Sequence, residues 1–230
     1  MSNFDDPGSI NKPSLIPKDE ASLIPKDIIA SFLKIIQGAW IHVCKRGDIT
    51  INSDEPTIAG ALEYEMWKEK ERQGIYGPPQ IVNESAERQS ELSLKPDGFI
   101  DFKMFYGWDK QDYFGIECKR VSSITTGKDE KLATRYITQG LIKFIKGIYC
   151  KNHNFAAMLG FIIDGKPEKC VTKVQQRMNK LSKKINLEEN WDKEERFGKH
   201  SHLYRTCHRQ VDHNNNLITI LHLFVDFNPL

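Results

Sequence analysis

Long hydrophobic runs are what this chain of 230 residues lacks first: no apolar run approaches the length that spans a bilayer. The opening stretch, MSNFDDPGSINKP, carries acidic residues and no apolar core, so a secretory signal is not expected. Cysteine is scarce and odd in number. Cys44, Cys118, Cys150, Cys170 and Cys207 include no pair at CxxC spacing. Reduced thiols and a cytoplasmic location are the expectation. Net charge is nearly absent as well: 33 basic against 31 acidic residues leave a formal +2. That excludes the strongly basic balance of a passive nucleic-acid coat. It leaves room for an enzyme in which metal-binding carboxylates offset phosphate-binding lysines. No Gly-x-Ser-x-Gly elbow is present, so a serine-hydrolase site has no support. What is there, 39% hydrophobic and 28% charged residues, is the composition of a folded α/β domain with a wet surface.

Residues 1–28 read as an N-terminal tail or linker, and 29–230 as one domain. The tail repeats itself, Ser14-Leu-Ile-Pro-Lys-Asp19 recurring as Ser22-Leu-Ile-Pro-Lys-Asp27. Two copies are too few for a solenoid; a duplicated extended linker and a docking motif are the two readings. Residues 28–44 predict a buried helix. Ser53-Asp54-Glu55-Pro56 has the form of a helix start, a capping residue followed by proline in the first turn. The helix it opens runs to about Arg72, with Ile58, Leu62 and Met66 on one face. From Leu94 to Val121 the period becomes two, predicting an antiparallel hairpin closed by residues 107–111. A helix over 132–149, a doubly covered strand over 155–163, an amphipathic helix over 168–187 and a last apolar strand over 216–227 follow. Residues 188–202 read as a charged loop. This order of elements implies an α/β sandwich, a mixed sheet flanked by helices.

The chemistry concentrates in the hairpin. On its second strand, Phe114, Ile116 and Cys118 alternate with Tyr113, Gly115, Glu117 and Lys119, so Glu117 and Lys119 share the less apolar face. On its first strand, Ile100, Phe102 and Met104 alternate with Phe99, Asp101 and Lys103. A turn centred on Asp109 sets Asp101 opposite Glu117, with Cβ atoms about 4.5–5.5 Å apart. Two carboxylates so close repel, and a divalent cation between them converts repulsion into coordination. Oxygen ligands with room for water suit Mg²⁺. Lys119 would orient water or steady charge on a phosphate. The bland alternative is a hairpin with outward charges neutralised by Lys103 and Lys119.

These residues, Pro96-Asp97, Asp101 and Glu117-Cys118-Lys119, resemble the PD-(D/E)xK, or restriction-endonuclease-like, nuclease superfamily. The resemblance spans the order of elements from about residue 54 to 165. It implies a restriction-endonuclease-like mixed sheet with flanking helices and an endo- or exonuclease that hydrolyses phosphodiester bonds with Mg²⁺ or Mn²⁺. Asp101, Glu117 and the Cys118 carbonyl become the metal ligands, and Lys119 the catalytic lysine. Asp97 is the alternative to Asp101. A glutamate on the preceding helix often joins such sites; Glu55 is the first candidate and Glu65 the runner-up, although Glu55 can equally serve the helix dipole. On the following helix Tyr136 and Gln139 sit where some branches touch the phosphate, or else form a polar patch. Arg135 and Lys143 are further phosphate candidates, while Arg120 is expected to point away. The implied partner is nucleic acid, DNA above all, with a helicase or sensor subunit as a protein partner, in defence against foreign DNA. The rival is an inactive module of the same fold that binds nucleic acid or protein.

Three weaker signals complete the reading. His200, His202, Cys207, His208 and His213 match no structural zinc spacing. The lysines at 169, 173, 180, 183 and 184 form either a solvated face or a track for nucleic acid. Trp108 at the hairpin tip is a candidate stacking residue.

Overall fold

The computed structural model describes residues 24–87, 96–107, 112–129, 131–151, 153–211 and 216–227. The first copy of the tail repeat, Trp108, Asp109 and His213 lie outside them. The chain is a mixed α/β fold built on one seven-stranded sheet in the order β1-β2-β3-β4-β7-β6-β5. Its strands are β1 (Gln80–Glu87), β2 (Gly98–Phe105), β3 (Tyr113–Val121), β4 (Phe155–Ile162), β5 (Leu187–Lys193), β6 (Leu203–Arg209) and β7 (Leu217–Asp226). The pairs β3/β4 and β4/β7 are parallel, and the remaining four are antiparallel. Central β4, FAAMLGFI, is buried along its whole length because helices cover both faces.

On one face lie α1 (Lys26–Cys44) and α2 (Glu55–Arg72), packed against Phe102, Met104, Phe114, Ile116 and Cys118. α1 starts two residues before the expected helix, and Ile24, ahead of it, is already in the core. By length and composition α1 is apolar enough to cross a membrane, contrary to the reading that no run approaches that length; here it sinks eight side chains, Trp40 among them, into the core. α2 starts as its sequence dictates. The Asp54 carboxylate accepts the Thr57 N–H at 3.0 Å, and Pro56 needs no partner in the first turn.

On the other face, α3 (Leu132–Arg135), a π-helical stretch (Tyr136–Leu141) and α4 (Ile142–Ile145) run on from one another, beside α5 (Pro167–Lys180). Both helices end earlier than their periodicity suggested. Gly147 takes φ 64° and the Ile148 N–H returns to the Lys143 carbonyl at 2.9 Å, which closes the first at Ile145. Past Lys180 the chain turns, yet Ile185 still packs in the core.

Three strands escaped the sequence reading: β1, β5 and β6. β5, LEENWDK, occupies the region read as a charged loop. It is a sheet edge, exposed on most of its length, so its composition follows solvent rather than a core.

Candidate functional site

The β2–β3 ladder pairs Phe102 with Ile116 and Phe105 with Tyr113. Each pair is centred on position 109, so the same register carried one step further sets Asp101 opposite Glu117. At Asp101 the regular pairing lapses. The β1–β2 ladder skips Glu84 and Asp101, where Glu84 turns to φ 48°, and the β2–β3 ladder stops at Phe102. The strand loses its phase there: Ile100 packs with Tyr113 and Tyr149 on the α5 side, not with Phe102 and Met104 as strict alternation predicts. The irregularity re-aims a side chain, as bulges do. Asp101 Oδ2 reaches across to accept the Cys118 N–H at 2.6 Å.

Lys119 is the hub. Its Nζ lies 2.6 Å from the Cys118 carbonyl, 2.7 Å from Glu55 Oε1 and 2.9 Å from Glu117 Oε1. Glu55, in the first turn of α2, also accepts the Arg120 N–H at 3.1 Å, so it binds the end of β3 directly. Glu117 is 2% exposed; its Oε1 receives Lys143 as well, at 3.3 Å, whereas its Oε2 is buried without a hydrogen-bond partner. Burial, with the Glu117 charge beside it, raises the Asp101 carboxyl to about 7. Burial pulls the Lys119 ammonium down, but Glu117, Glu55 and Asp101 more than offset it and hold its pKa above the ordinary value.

A cavity of about 740 Å³ opens on this centre, lined by Glu55, Lys119, Arg120, Arg135, Gln139 and Lys143 among others. Gln139, Arg135 and Lys143 thus stand where the sequence placed phosphate contacts. Arg120 does too, against expectation, because Glu55 anchors its backbone and Ile51 O takes its guanidinium at 3.1 Å. Tyr136 does not. It is buried, its hydroxyl 3.0 Å from His222 Nδ1, for the π-helical stretch that begins with it directs Tyr136 to the core and Gln139 to the cavity. π-turns of this kind occur often at functional sites.

Glu65 lies elsewhere, paired with Arg46 and Arg72. Asp97 is exposed and its N–H binds Glu87 O, while Asp101 is the acid in electrostatic contact with Glu117 and Lys119. Lys103 pairs with Glu87 at 3.1 Å, so it does not neutralise Asp101 in the way the bland reading required. Tyr149 went unseen in the sequence: its hydroxyl receives Lys143 Nζ at 2.5 Å. The only advance signal was Gly147, a helix-stop residue that throws the chain back.

Among the described residues no three His, Cys, Asp or Glu side chains cluster as a metal cage. A metal here therefore needs a backbone carbonyl beside two carboxylates. Asp101, Glu117 and the Cys118 carbonyl meet that requirement: all are hard oxygens, and one carboxylate oxygen is buried and unpartnered. The candidate zinc residues are dispersed. His200 binds Gln37 and the Phe197 carbonyl, and Cys207 and His208, adjacent on β6, point to opposite sides of the sheet. No protein-family model, curated protein or solved structure matches this chain.

Proposed function

We propose that the chain is a metal-dependent nuclease of restriction-endonuclease-like architecture, hydrolysing phosphodiester bonds of DNA. One observation carries the reading: Glu117 is buried against Asp101 with an oxygen that nothing satisfies, at the mouth of a cavity lined by four cationic residues. A buried carboxylate pair without a cation is costly. Asp101, Glu117 and the Cys118 carbonyl would hold Mg²⁺ or Mn²⁺, which supplies Lewis-acid stabilisation of a phosphate oxygen and acidifies water.

The chain's own groups do the rest. Lys119 donates to the phosphate as negative charge builds on it, in a site walled off from bulk water. Glu55 holds the Lys119 ammonium in place, which makes it a positioning residue. Gln139 donates an amide N–H to a phosphate oxygen from the cavity wall. A cytoplasmic role in defence against foreign DNA, with a helicase or sensor subunit choosing the target, fits a chain that carries no recognition module of its own in its sequence.

A specific observation favours a second reading, an inactive binding module: all three Lys119 N–H donors already have acceptors within the chain. One assay separates the two. Purified protein is incubated with plasmid, linear and single-stranded DNA and with RNA, in Mg²⁺, Mn²⁺ or EDTA, beside Glu117→Ala and Lys119→Ala. Metal-dependent cutting lost in both variants supports the nuclease; cutting that survives both places the site elsewhere, and no cutting under any condition leaves the binding module.

A further inference from the structure

Lys143 and Tyr149 form a unit that the catalytic reading above does not use. The chain leaves α4, reverses at Gly147 and is caught by the carbonyl of Lys143 itself, which accepts the N–H groups of Ile148 at 2.9 Å and Tyr149 at 3.2 Å. The reversal lays the phenol of Tyr149 beneath the side chain of Lys143. Phe144 pins the ring edge-on at 5.5 Å between centroids. Gly98 leaves it space, because a Cβ there would come within 2.9 Å of Tyr149 Cε1. The hydroxyl donates to the Phe99 carbonyl, two residues before Asp101, and accepts from Lys143. Burial, reinforced by Glu117 and Asp101, raises the phenol above its ordinary value, so it stays neutral and can donate and accept at once.

Lys143 is the opposite in exposure. Its side chain is 34% exposed, and it lines the cavity with Lys119, Arg120 and Arg135 against the acids Asp54 and Glu55. Two of its three N–H donors go to Tyr149 and Glu117, the latter at 3.3 Å, longer than the Lys119 contact to the same oxygen. The third is left for a ligand. Four cations around two acids select an anion, and a lysine fixed at its tip binds one at less entropic cost than a lysine free to rotate.

We propose that Lys143 is a second phosphate-binding lysine of the site, gripping the nucleic-acid backbone opposite Lys119, and that Tyr149 is its positioning residue, acting only through Lys143. The proposal rests on the nucleic-acid reading of the cavity but not on hydrolysis.

The test is a double-mutant cycle on the full chain, read by binding of a fluorescein-labelled DNA oligonucleotide, single-stranded and annealed, in Ca²⁺, across a salt series. Lys143→Ala weakens binding about tenfold and reduces the salt slope by about one. Tyr149→Phe, which keeps the ring, weakens it about threefold, and Lys143→Arg restores most of the loss. In the Lys143→Ala background Tyr149→Phe has no further effect, as expected of residues acting as one unit. Losses that multiply, or a Lys143→Ala protein that binds as tightly as wild type at every salt concentration, overturn the proposal. If the cycle holds and wild type never cuts, the hydrolytic reading fails and this one stands. If wild type cuts and Lys143→Ala binds normally, the reverse is true. Wild type that binds neither form of the oligonucleotide overturns both.

Discussion

Two polar centres are buried on the same face of the sheet, in one cross-strand row. Glu117 on β3 pairs with Met158 on β4, and Met158 with His222 on β7. Only the Met158 side chain separates them in that row, yet they are built on opposite principles. Around His222 every donor has an acceptor, and the directions follow from one fixed point. Ile185 O requires a proton on His208 Nδ1 at 2.8 Å, so His208 Nε2 accepts from the Thr206 hydroxyl at 2.7 Å. Thr206 in turn accepts from His222 Nε2 at 2.8 Å, and His222 Nδ1 accepts from Tyr136 at 3.0 Å. Both rings are neutral, and burial holds them so. Around Glu117 the groups are charged, one oxygen is orphaned and a neighbouring carboxyl resists ionisation. A satisfied network fixes one structure; an unsatisfied one is where a ligand can act.

The sharpest way to break this contrast is Asp101→Asn. The amide oxygen can still take the Cys118 N–H, so the fold keeps its bond and loses the repulsion. Cleavage should fall by about 10³-fold, while the melting temperature in EDTA stays level or rises. A variant that unfolds and keeps its activity would invert the assignment of the two centres.

Thr206→Val strikes the other centre. It strands a donor on one imidazole and an acceptor on the other, at a cost of about 1–3 kcal/mol for each. Urea titration should show that loss while activity per folded molecule is unchanged.

Acidity separates the centres by sign. His208 and His153 are held down at about 4 by burial. Between their unfolded value near 6.5 and 4, the unfolded chain binds more protons, so their contribution is complete above 6.5 and is lost as pH falls. Fully expressed, that is on the order of 3 kcal/mol each. Asp101 runs the other way: its folded value of about 7 exceeds the model-peptide value of 3.8, so without metal its contribution is present below 3.8 and is lost as pH rises to 7. Denaturation of metal-free protein across this range should therefore show a steeper gain with pH in Asp101→Asn than in wild type; parallel curves would contradict it.

The smallest effect is that of metal on wild type. A cation that binds only the folded chain stabilises it by about 2.7 kcal/mol at one hundred times its dissociation constant. Mn²⁺ should raise the melting temperature of wild type and not of Glu117→Ala.

Much of the charged centre was legible in the sequence because it depends on short-range rules. Alternation alone sets Glu117 and Lys119 on one face, a turn centred on 109 gives the register of Asp101, and the Asp54 cap fixes where Glu55 begins its helix. The neutral centre was invisible. His208 and His222 meet only because β6 and β7 pair side by side, and β6 lies in a stretch whose charges hid the strands. Tyr149 was lost for a similar reason: extending the helix to 149 by its apolar pattern erased the reversal at Gly147. The apolar faces of β4 and β7 declared themselves; edge strands, which answer to solvent, did not.

The π-helical stretch decides how the chain tolerates changes of length. A π-turn holds a surplus residue relative to an α-helix. Deleting one residue within Tyr136–Leu141 would let the segment relax to regular winding and rotate all that follows by about 100°. Lys143 would leave the cavity and an isoleucine would take its place. Insertions in the loop after β5 leave that phase untouched, so a deletion scan should find the helix unforgiving at positions where single substitutions of exposed residues are mild.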